Sequence, residues 1–165
     1  MAHLHENKEI AAAPERLFNA INNYGRRLEW DTLLRAAEVF DENGAKLPLN
    51  TPLVEGMIVR SYGRWLSGGV VMDTRYTFCQ FPDAGLEMVK GPWFFETFQA
   101  WAHLEETSDG GTRWKGQYTY TCRPRLLRFI IEPIVGWVFR TETKLRVKGL
   151  KKWLEEEDRA IGKPT

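Results

Sequence analysis

Residues 112–139 read TRWKGQYTYTCRPRLLRFIIEPIVGWVF, and the hydrophobic period of this segment changes near its middle. Up to Cys122, aromatic or small residues alternate with polar ones, which is typical of a strand with one buried face. From Pro124 onward, apolar residues recur at helical spacing as far as Leu154. The sequence therefore predicts a last β-strand, 112–122, that leads directly into a long C-terminal helix.

The chain before this segment predicts one strand, two short helices and five further strands. The first strand covers residues 4–10, Pro14 suits the first turn of a helix that ends near Asn23, and a second helical turn covers 26–29. Residues 67–69 and 82–85 are expected to form turns, and Pro133 is expected to kink the long helix or to split off a short leading turn. The five further strands are predicted at 35–41, 56–65, 70–81, 86–90 and 94–106.

Length and composition favour one ordinary globular domain. We expect a single domain at 1–160 and a tail at 161–165, because 165 residues bury a sizeable core. Aromatic residues make up 13% of the chain, which is high, so we expect them to line or fill a large apolar interior. The 23 Lys and Arg nearly cancel the 22 Asp and Glu, which argues against a nucleic-acid partner.

Targeting and cofactor signals are missing from the sequence. Cys79 and Cys122 have no metal-ligand spacing, and no phosphate-binding glycine loop or standard hydrolase motif occurs, so we expect reduced thiols, no metal and no cofactor. The N-terminus does not read as a secretory signal, and no apolar run reaches the roughly 20 residues of a membrane span. The prediction is a cytoplasmic protein without a transmembrane segment.

Several short motifs resemble one known superfamily. Residues 10–18, IAAAPERLF, followed by Trp30-Asp31, resemble the START-like superfamily, also called Bet v1-like or SRPBCC. Residues 110–113, GGTR, 124–127, PRLL, and 150–155, LKKWLE, look like its polyketide cyclase/dehydrase branch. The resemblance implies an α+β helix-grip fold, in which a seven-stranded curved antiparallel sheet wraps a long C-terminal helix and two short helices lie between strands 1 and 2. Members include lipid and sterol carriers, quinone-binding proteins and polyketide cyclases, so fold alone leaves function open.

Strand alternation predicts which side chains face a pocket between sheet and helix. On each strand the apolar set is expected to point inward, and Trp30 is placed near the pocket mouth by the resemblance, with a packing role as the alternative. Tyr76, Tyr118 and Tyr120 either orient the polar end of a ligand or are core tyrosines bonded to the backbone. The predicted ligand-binding residues are Trp30, Met57, Val59, Met72, Thr74, Tyr76, Phe78, Phe98, Trp114, Tyr118, Tyr120, Ile134 and Val138.

Polar residues of the strands give no clear catalytic set. His3 and His5 share a strand face but lack a third metal ligand, and His103 is expected on the outer face of its strand. If the chain is an enzyme, Arg60, Arg64 and Arg75 are the cations of interest, but strand alternation places Arg75 outside. A buried arginine without a partner would cost several kcal/mol. The catalytic residues are therefore left unassigned, and Gly116 is expected to mark a bulge, a close ligand approach or a simple bend.

Residues 126–139 are apolar on nearly every side. They are expected to meet a ligand, a dimer partner or a bilayer surface, or to be covered by the small helices and loops. The first hypothesis is a binder or carrier of a small hydrophobic ligand such as a lipid, quinone or polyketide. The second is a polyketide cyclase or dehydratase, and the third is a regulatory module that binds a partner through 126–139. A monomer and a homodimer both remain open.

Overall fold

The computed structural model describes residues 1–64 and 69–162, and it has the α+β architecture that the sequence predicts. An antiparallel sheet curves around one long helix, with two short helices early in the chain, which confirms the helix-grip fold. The strands lie in the order β1-β8-β7-β6-β5-β4-β2-β3. They are β1 Ala2–Ile10, β2 Leu34–Phe40, β3 Lys46–Leu47, β4 Ile58–Gly63, β5 Val71–Gln80, β6 Asp83–Lys90, β7 Phe95–Glu106 and β8 Thr112–Cys122.

The helices begin where local chemistry favours it. α1, Pro14–Asn22, has its proline at the start, where the missing N–H would have no helical partner. α2, Tyr24–Trp30, begins after Asn23, whose side chain accepts a hydrogen bond from the Arg26 backbone over 3.2 Å. A 3-10 turn at Arg125–Leu127 precedes α3, Arg128–Ala160.

The long helix α3 packs against different partners along its length. Near its start, Ile131, Val135 and Phe139 pack against a cluster that includes Phe95 and Tyr120 of the sheet. Farther on, it contributes to a second cluster with residues of α1, α2 and the sheet. That second cluster contains Ile10, Ala12, Leu17, Ala20, Trp30, Leu104, Val147, Leu150 and Leu154. The helix is thus anchored at both ends of its contact with the sheet.

Three local features differ from the prediction. The sheet has eight strands because the two-residue β3 pairs with the end of β2. Residues 83–85 belong to β6 and not to a turn, since Asp83 pairs with both Gln80 and His103 and confines the turn to 81–82. Helix α3 continues through Pro133, so no leading turn is split off at this residue.

Some predicted features lie outside the described residues. They are Trp65 at the end of the predicted strand 56–65, residues 67–68 of the predicted turn, and residues 163–165 of the predicted tail. Gly69, which is described, has a φ of 66° in a turn before β5.

Candidate ligand cavity

A cavity of about 550 Å³ lies between the inner face of the sheet and α3. Strands β4–β8 supply one wall and α3 the opposite wall, while α1 and α2 close one end. Most of the lining is apolar or aromatic, and it includes small side chains such as Ala84, Ala100 and Ala102 that leave the space open. The fold therefore keeps an apolar interior that its own side chains do not fill.

Most of the predicted ligand-binding residues line this cavity. They are Trp30, Met72, Thr74, Tyr76, Phe98, Trp114, Tyr118, Ile134 and Val138. Trp30 also has the packing role considered as its alternative, because it is buried and its indole N–H donates to the Ala20 carbonyl over 2.9 Å. Contact between these residues and a ligand stays a prediction.

Met57 and Val59 lie away from the cavity lining. Val59 is fully buried and belongs to a packed cluster with Val39 and Leu53, and Met57 packs against the same cluster. Alternation correctly places Val59 on the inner face, but this part of the sheet is covered by side chains of the chain itself. The two residues contribute to the core instead of lining the open space.

Tyr120 is also inside without lining the cavity. Its hydroxyl donates to the Glu132 carbonyl in α3 over 2.9 Å, which is the backbone-bonded alternative considered for it. The helix comes this close because residue 136 is glycine: a Cβ at that position would lie 2.8 Å from the Tyr120 oxygen. Tyr120 therefore fastens β8 to α3.

Phe78 lies on the outer face of the sheet, contrary to the prediction. The pairing of β5 with β6 shifts between Tyr76 and Phe78, so one extra residue, Thr77, interrupts the alternation. The following residue, Cys79, then takes the inward position and packs against the core, whereas Phe78 is 37% exposed. After a bulge, the residues of a strand point to the opposite faces from those that simple alternation predicts. The period-two pattern of residues 72–78 does not predict this bulge.

Gly116 does not mark a bulge, and the close approach of a ligand to it stays a prediction. It pairs in continuous register with Glu6 on one side and Ala102 on the other. A Cβ on this glycine would meet its nearest neighbours, the Tyr118 ring and the Trp114 indole nitrogen, at 3.7–3.8 Å, which is ordinary contact.

A cluster of charged side chains forms a polar end of the cavity, and sequence reasoning missed it. Arg27 of α2 and Arg146 of α3 each donate from Nε to Asp31 Oδ2 over 3.2 Å. Arg146 also lies 3.4 Å from Glu142, and Arg27 donates to the Tyr24 hydroxyl over 3.3 Å. Arg27, Arg146, Glu142 and Tyr24 line the cavity. This end can donate hydrogen bonds to an oxygen atom of a ligand.

The sequence held one signal for this cluster. Glu142 and Arg146 stand four residues apart and continue the inward stripe of α3 set by Val135 and Phe139. Charged residues on a buried helix stripe are uncommon unless they are paired. Arg27 and Asp31 are likewise four apart, but only the folded chain shows that the two pairs meet.

The surroundings of the cavity shift the pKa of two lining residues, Arg27 and Tyr76, and both shifts are upward. Burial alone would lower the pKa of the Arg27 guanidinium, but Tyr24 and Asp31 outweigh burial and raise it. Burial, followed by the neighbouring Tyr24, raises the pKa of the Tyr76 phenol well above 10. A charged guanidinium and a neutral phenol therefore face the same interior.

Other predicted polar candidates lie away from the cavity. His103 lies on the outer face, where it pairs with Asp83 over 2.8 Å, and Arg60 forms two 2.8 Å hydrogen bonds with Asp73. Arg75 is exposed and lies 3.6 Å from Glu87, as expected of an outward residue. In ranges 1–64 and 69–162, no three His, Cys, Asp and Glu side chains are grouped so that they could hold a metal ion.

The two cysteines are separate and protonated. Both are free thiols in the structure. Burial raises the pKa of Cys79 to about 11, and burial together with Glu132 raises the pKa of Cys122 to about 11. Neither thiol has the lowered pKa of a reactive nucleophile.

Comparisons with known proteins bear on the fold. No family model matches the chain, and no curated protein matches it. Among solved structures, the Zhui aromatase/cyclase from Streptomyces sp. R1128 is similar at 10% identity, 99% coverage of both chains and a TM-score of 0.75. A START superfamily protein from Mycobacterium smegmatis is 12% identical, with 93% of this chain and 97% of that chain covered and a TM-score of 0.73. Ara h 8.0201 is 14% identical, with 94% and 98% covered and a TM-score of 0.65.

At these identities the likeness concerns the fold. The described chain has the helix-grip architecture of START superfamily, Bet v1-like and aromatase/cyclase structures, which confirms the architecture implied by the resemblance. None of the described helices is long and apolar enough to cross a membrane.

Proposed function

We propose that this chain, which has the START-like helix-grip fold, binds a small hydrophobic molecule between its sheet and α3 and acts as a binder or carrier. The observation that supports this function is the cavity of about 550 Å³ with a mainly apolar and aromatic lining. Ligand pockets of proteins span roughly 300–1,000 Å³ and combine apolar walls with a few polar groups. A lipid, a quinone or a polyketide-like molecule has the matching chemistry.

The distribution of polar groups suggests how such a ligand is oriented. One end of the cavity is closed by Arg27 and Arg146, whereas the region near Phe98 and Val138 is apolar. A ligand with a hydrocarbon body and one oxygen-bearing end would place its oxygen at the guanidinium groups. Its apolar part would gain about 25 cal/mol for each Å² removed from water.

Titration with the uncharged fluorescent probe N-phenyl-1-naphthylamine tests this function. The wild-type chain is expected to bind the probe with enhanced fluorescence, and Ala100→Phe is expected to lose most of that binding because Ala100 lines the cavity. Gln99→Phe adds the same ring to the outer face of the same strand and is expected to retain probe binding. Equal binding by both variants would show that the probe lies elsewhere and would contradict the proposal.

A cyclase or dehydratase acting on such a ligand is the second candidate. The paired Arg27, Asp31, Glu142 and Arg146 favour it, because an enzyme of this kind needs polar groups that polarise a carbonyl inside an apolar cavity. Incubation with a linear poly-β-keto thioester separates the two functions. A carrier returns the compound unchanged, whereas a cyclase yields a ring-closed product that mass spectrometry and ultraviolet absorption detect.

A cytoplasmic location is part of the proposal. The free thiols of Cys79 and Cys122 support it, because reducing compartments keep cysteines unpaired. Cell fractionation with a tagged full chain is expected to place the protein in the cytoplasm, and recovery from an exported fraction would contradict this part.

A further inference from the structure

The beginning of α3 presents an exposed apolar surface. Phe129 is 75% exposed, Trp137 67% and Ile134 56%. Trp93, 77% exposed, lies at the same end, because the Arg123 backbone N–H donates to the carbonyl of the adjacent Phe94 over 2.8 Å. We call this surface the docking face; it consists of Trp93, Leu126, Leu127, Phe129, Ile130, Ile134 and Trp137.

The small helices do not cover the docking face, although the sequence left that alternative open. α1 and α2 pack against Val147 and Leu150 of α3. These two residues lie more than two helical turns after Trp137. Burying one large apolar side chain is worth roughly 1.5–3 kcal/mol, so leaving several such side chains in water is costly. Exposed apolar surfaces of this kind mark interaction sites.

A row of cations follows the docking face along α3. Arg140, Lys144, Lys148 and Lys151 are exposed at spacings of four, four and three residues, which places them on one side of the helix. None of the four forms an ion pair with any residue in ranges 1–64 and 69–162. Between residues 133 and 154 the only acidic residue is Glu142, and it is buried.

We infer that the docking face and this cationic row bind the surface of an anionic lipid bilayer. Aromatic and aliphatic side chains enter the interface of a bilayer, and basic residues beside them are attracted to anionic headgroups. A second copy of the chain fits less well. A symmetric contact centred on this part of α3 would bring the cations of two copies together, because the only acid between residues 133 and 154 is the buried Glu142.

The docking face adjoins the cavity. Ile134 belongs to the docking face and also lines the cavity. Phe94, another lining residue, contacts Trp93 edge to face with ring centroids 6.0 Å apart. A hydrophobic ligand could therefore pass between bilayer and cavity along apolar side chains. This transfer rests on the proposed function, whereas docking itself does not.

Co-sedimentation of the full chain with vesicles tests the inference. Binding is expected to vesicles of phosphatidylcholine with phosphatidylserine, to weaken with added salt, and to be much weaker for phosphatidylcholine alone. The double variant Phe129→Ser/Trp137→Ser is expected to lower the partition coefficient by more than about tenfold. The triple variant Arg140→Gln/Lys144→Gln/Lys148→Gln is expected to lower it by about fivefold for each cation removed.

Two exposed residues outside the docking face serve as controls. Val54→Ser removes an exposed apolar side chain and Arg35→Gln removes an exposed cation, and both are expected to bind vesicles like the wild type. Docking-face variants that retain full vesicle binding would overturn the inference. A second contradicting result is a wild-type chain that does not bind vesicles but forms a dimer in sedimentation equilibrium without lipid. In that case the Phe129→Ser/Trp137→Ser variant would be monomeric.

Binding of N-phenyl-1-naphthylamine separates this inference from the proposed function. The docking-face variants are expected to keep their probe binding, because the substituted side chains at 129 and 137 lie outside the cavity lining. If these variants lose vesicle binding but still bind the probe, the result supports docking. If the wild-type chain does not bind the probe, the result contradicts the proposed ligand binding and leaves the docking inference untouched.

Discussion

Arg146 in the middle of α3 donates its Nε hydrogen to Asp31 at the end of α2, over 3.2 Å and across 115 positions of sequence. Asp31 also accepts from Arg27 and, through Oδ1, from the Leu33 backbone over 3.2 Å. One buried carboxylate thus joins α2, the segment just before β2, and α3 at the polar end of the cavity.

Removing this carboxylate is expected to destabilise the fold. Asp31→Ala leaves Arg27 and Arg146 without their shared partner, and we expect a loss of about 2–4 kcal/mol because the two arginines remain partly solvated. Urea unfolding followed by circular dichroism measures the change. Glu9→Gln, which removes an exposed partner of Arg113, is the matched control and is expected to cost less than about 1 kcal/mol. An Asp31→Ala variant as stable as the control would contradict the structural role of Asp31.

Gly149→Ala is expected to destabilise the protein although alanine normally favours a helix. A Cβ at residue 149 would lie 2.6 Å from the backbone oxygen of Trp30, so α2 and α3 would have to separate. We expect a loss of about 1–3 kcal/mol, seen as a lower Tm. Lys148→Ala, one residue earlier on the exposed side, is expected to change stability by less than about 0.5 kcal/mol. A rise in Tm for Gly149→Ala would show that the two helices are not in close contact.

The order of the elements could be predicted from the sequence, because each has a clear local signal. Pro14 starts α1, and the change of period after Cys122 marks the boundary between β8 and α3. Face assignments also hold wherever a strand is regular, as for Trp114 and Tyr118. They fail at Phe78, since a one-residue bulge depends on how β5 pairs with β6 and not on the pattern within β5.

The polar end of the cavity could be predicted only in part. Glu142 and Arg146 interrupt an apolar stripe and so point to a buried pair, but their meeting with Asp31 depends on packing between distant segments. Sequence reasoning considered arginines on the strands instead. Arg60 and Arg75 face outward, where carboxylates on neighbouring strands pair with them.

Two tyrosines of β8 are expected to respond differently to loss of their hydroxyl groups. Tyr118→Phe is expected to leave stability within about 0.5 kcal/mol and to weaken binding of oxygen-bearing ligands about three- to tenfold, because its side chain lines the cavity. Tyr120→Phe removes the bond to the Glu132 carbonyl and is expected to cost about 1 kcal/mol of stability without changing ligand affinity. Chemical denaturation and ligand titration of both variants measure these effects, and the reverse pattern would contradict the assignment.

The cysteines are expected to react slowly with iodoacetamide in the folded protein. With a pKa of about 11, Cys79 and Cys122 carry roughly two hundred times less thiolate at pH 8 than a cysteine with a pKa of about 8.5. Because the folded-state pKa is raised, the stability contributed by the protonated thiols is lost as pH rises from about 8.5 through 11. Mass spectrometry after timed labelling at pH 8 and pH 10.5 measures the rates. Rapid labelling of folded protein at pH 8 would contradict the raised pKa values.

Native mass spectrometry of the purified full chain, before and after extraction with organic solvent, tests the central claim most directly. The cavity of about 550 Å³ predicts an adduct of one small hydrophobic molecule that is removed by extraction, recovered in the organic phase and reduced in the Ala100→Phe variant. A wild-type chain that remains free of adduct after incubation with lipid, quinone and polyketide extracts would contradict the ligand-binding account.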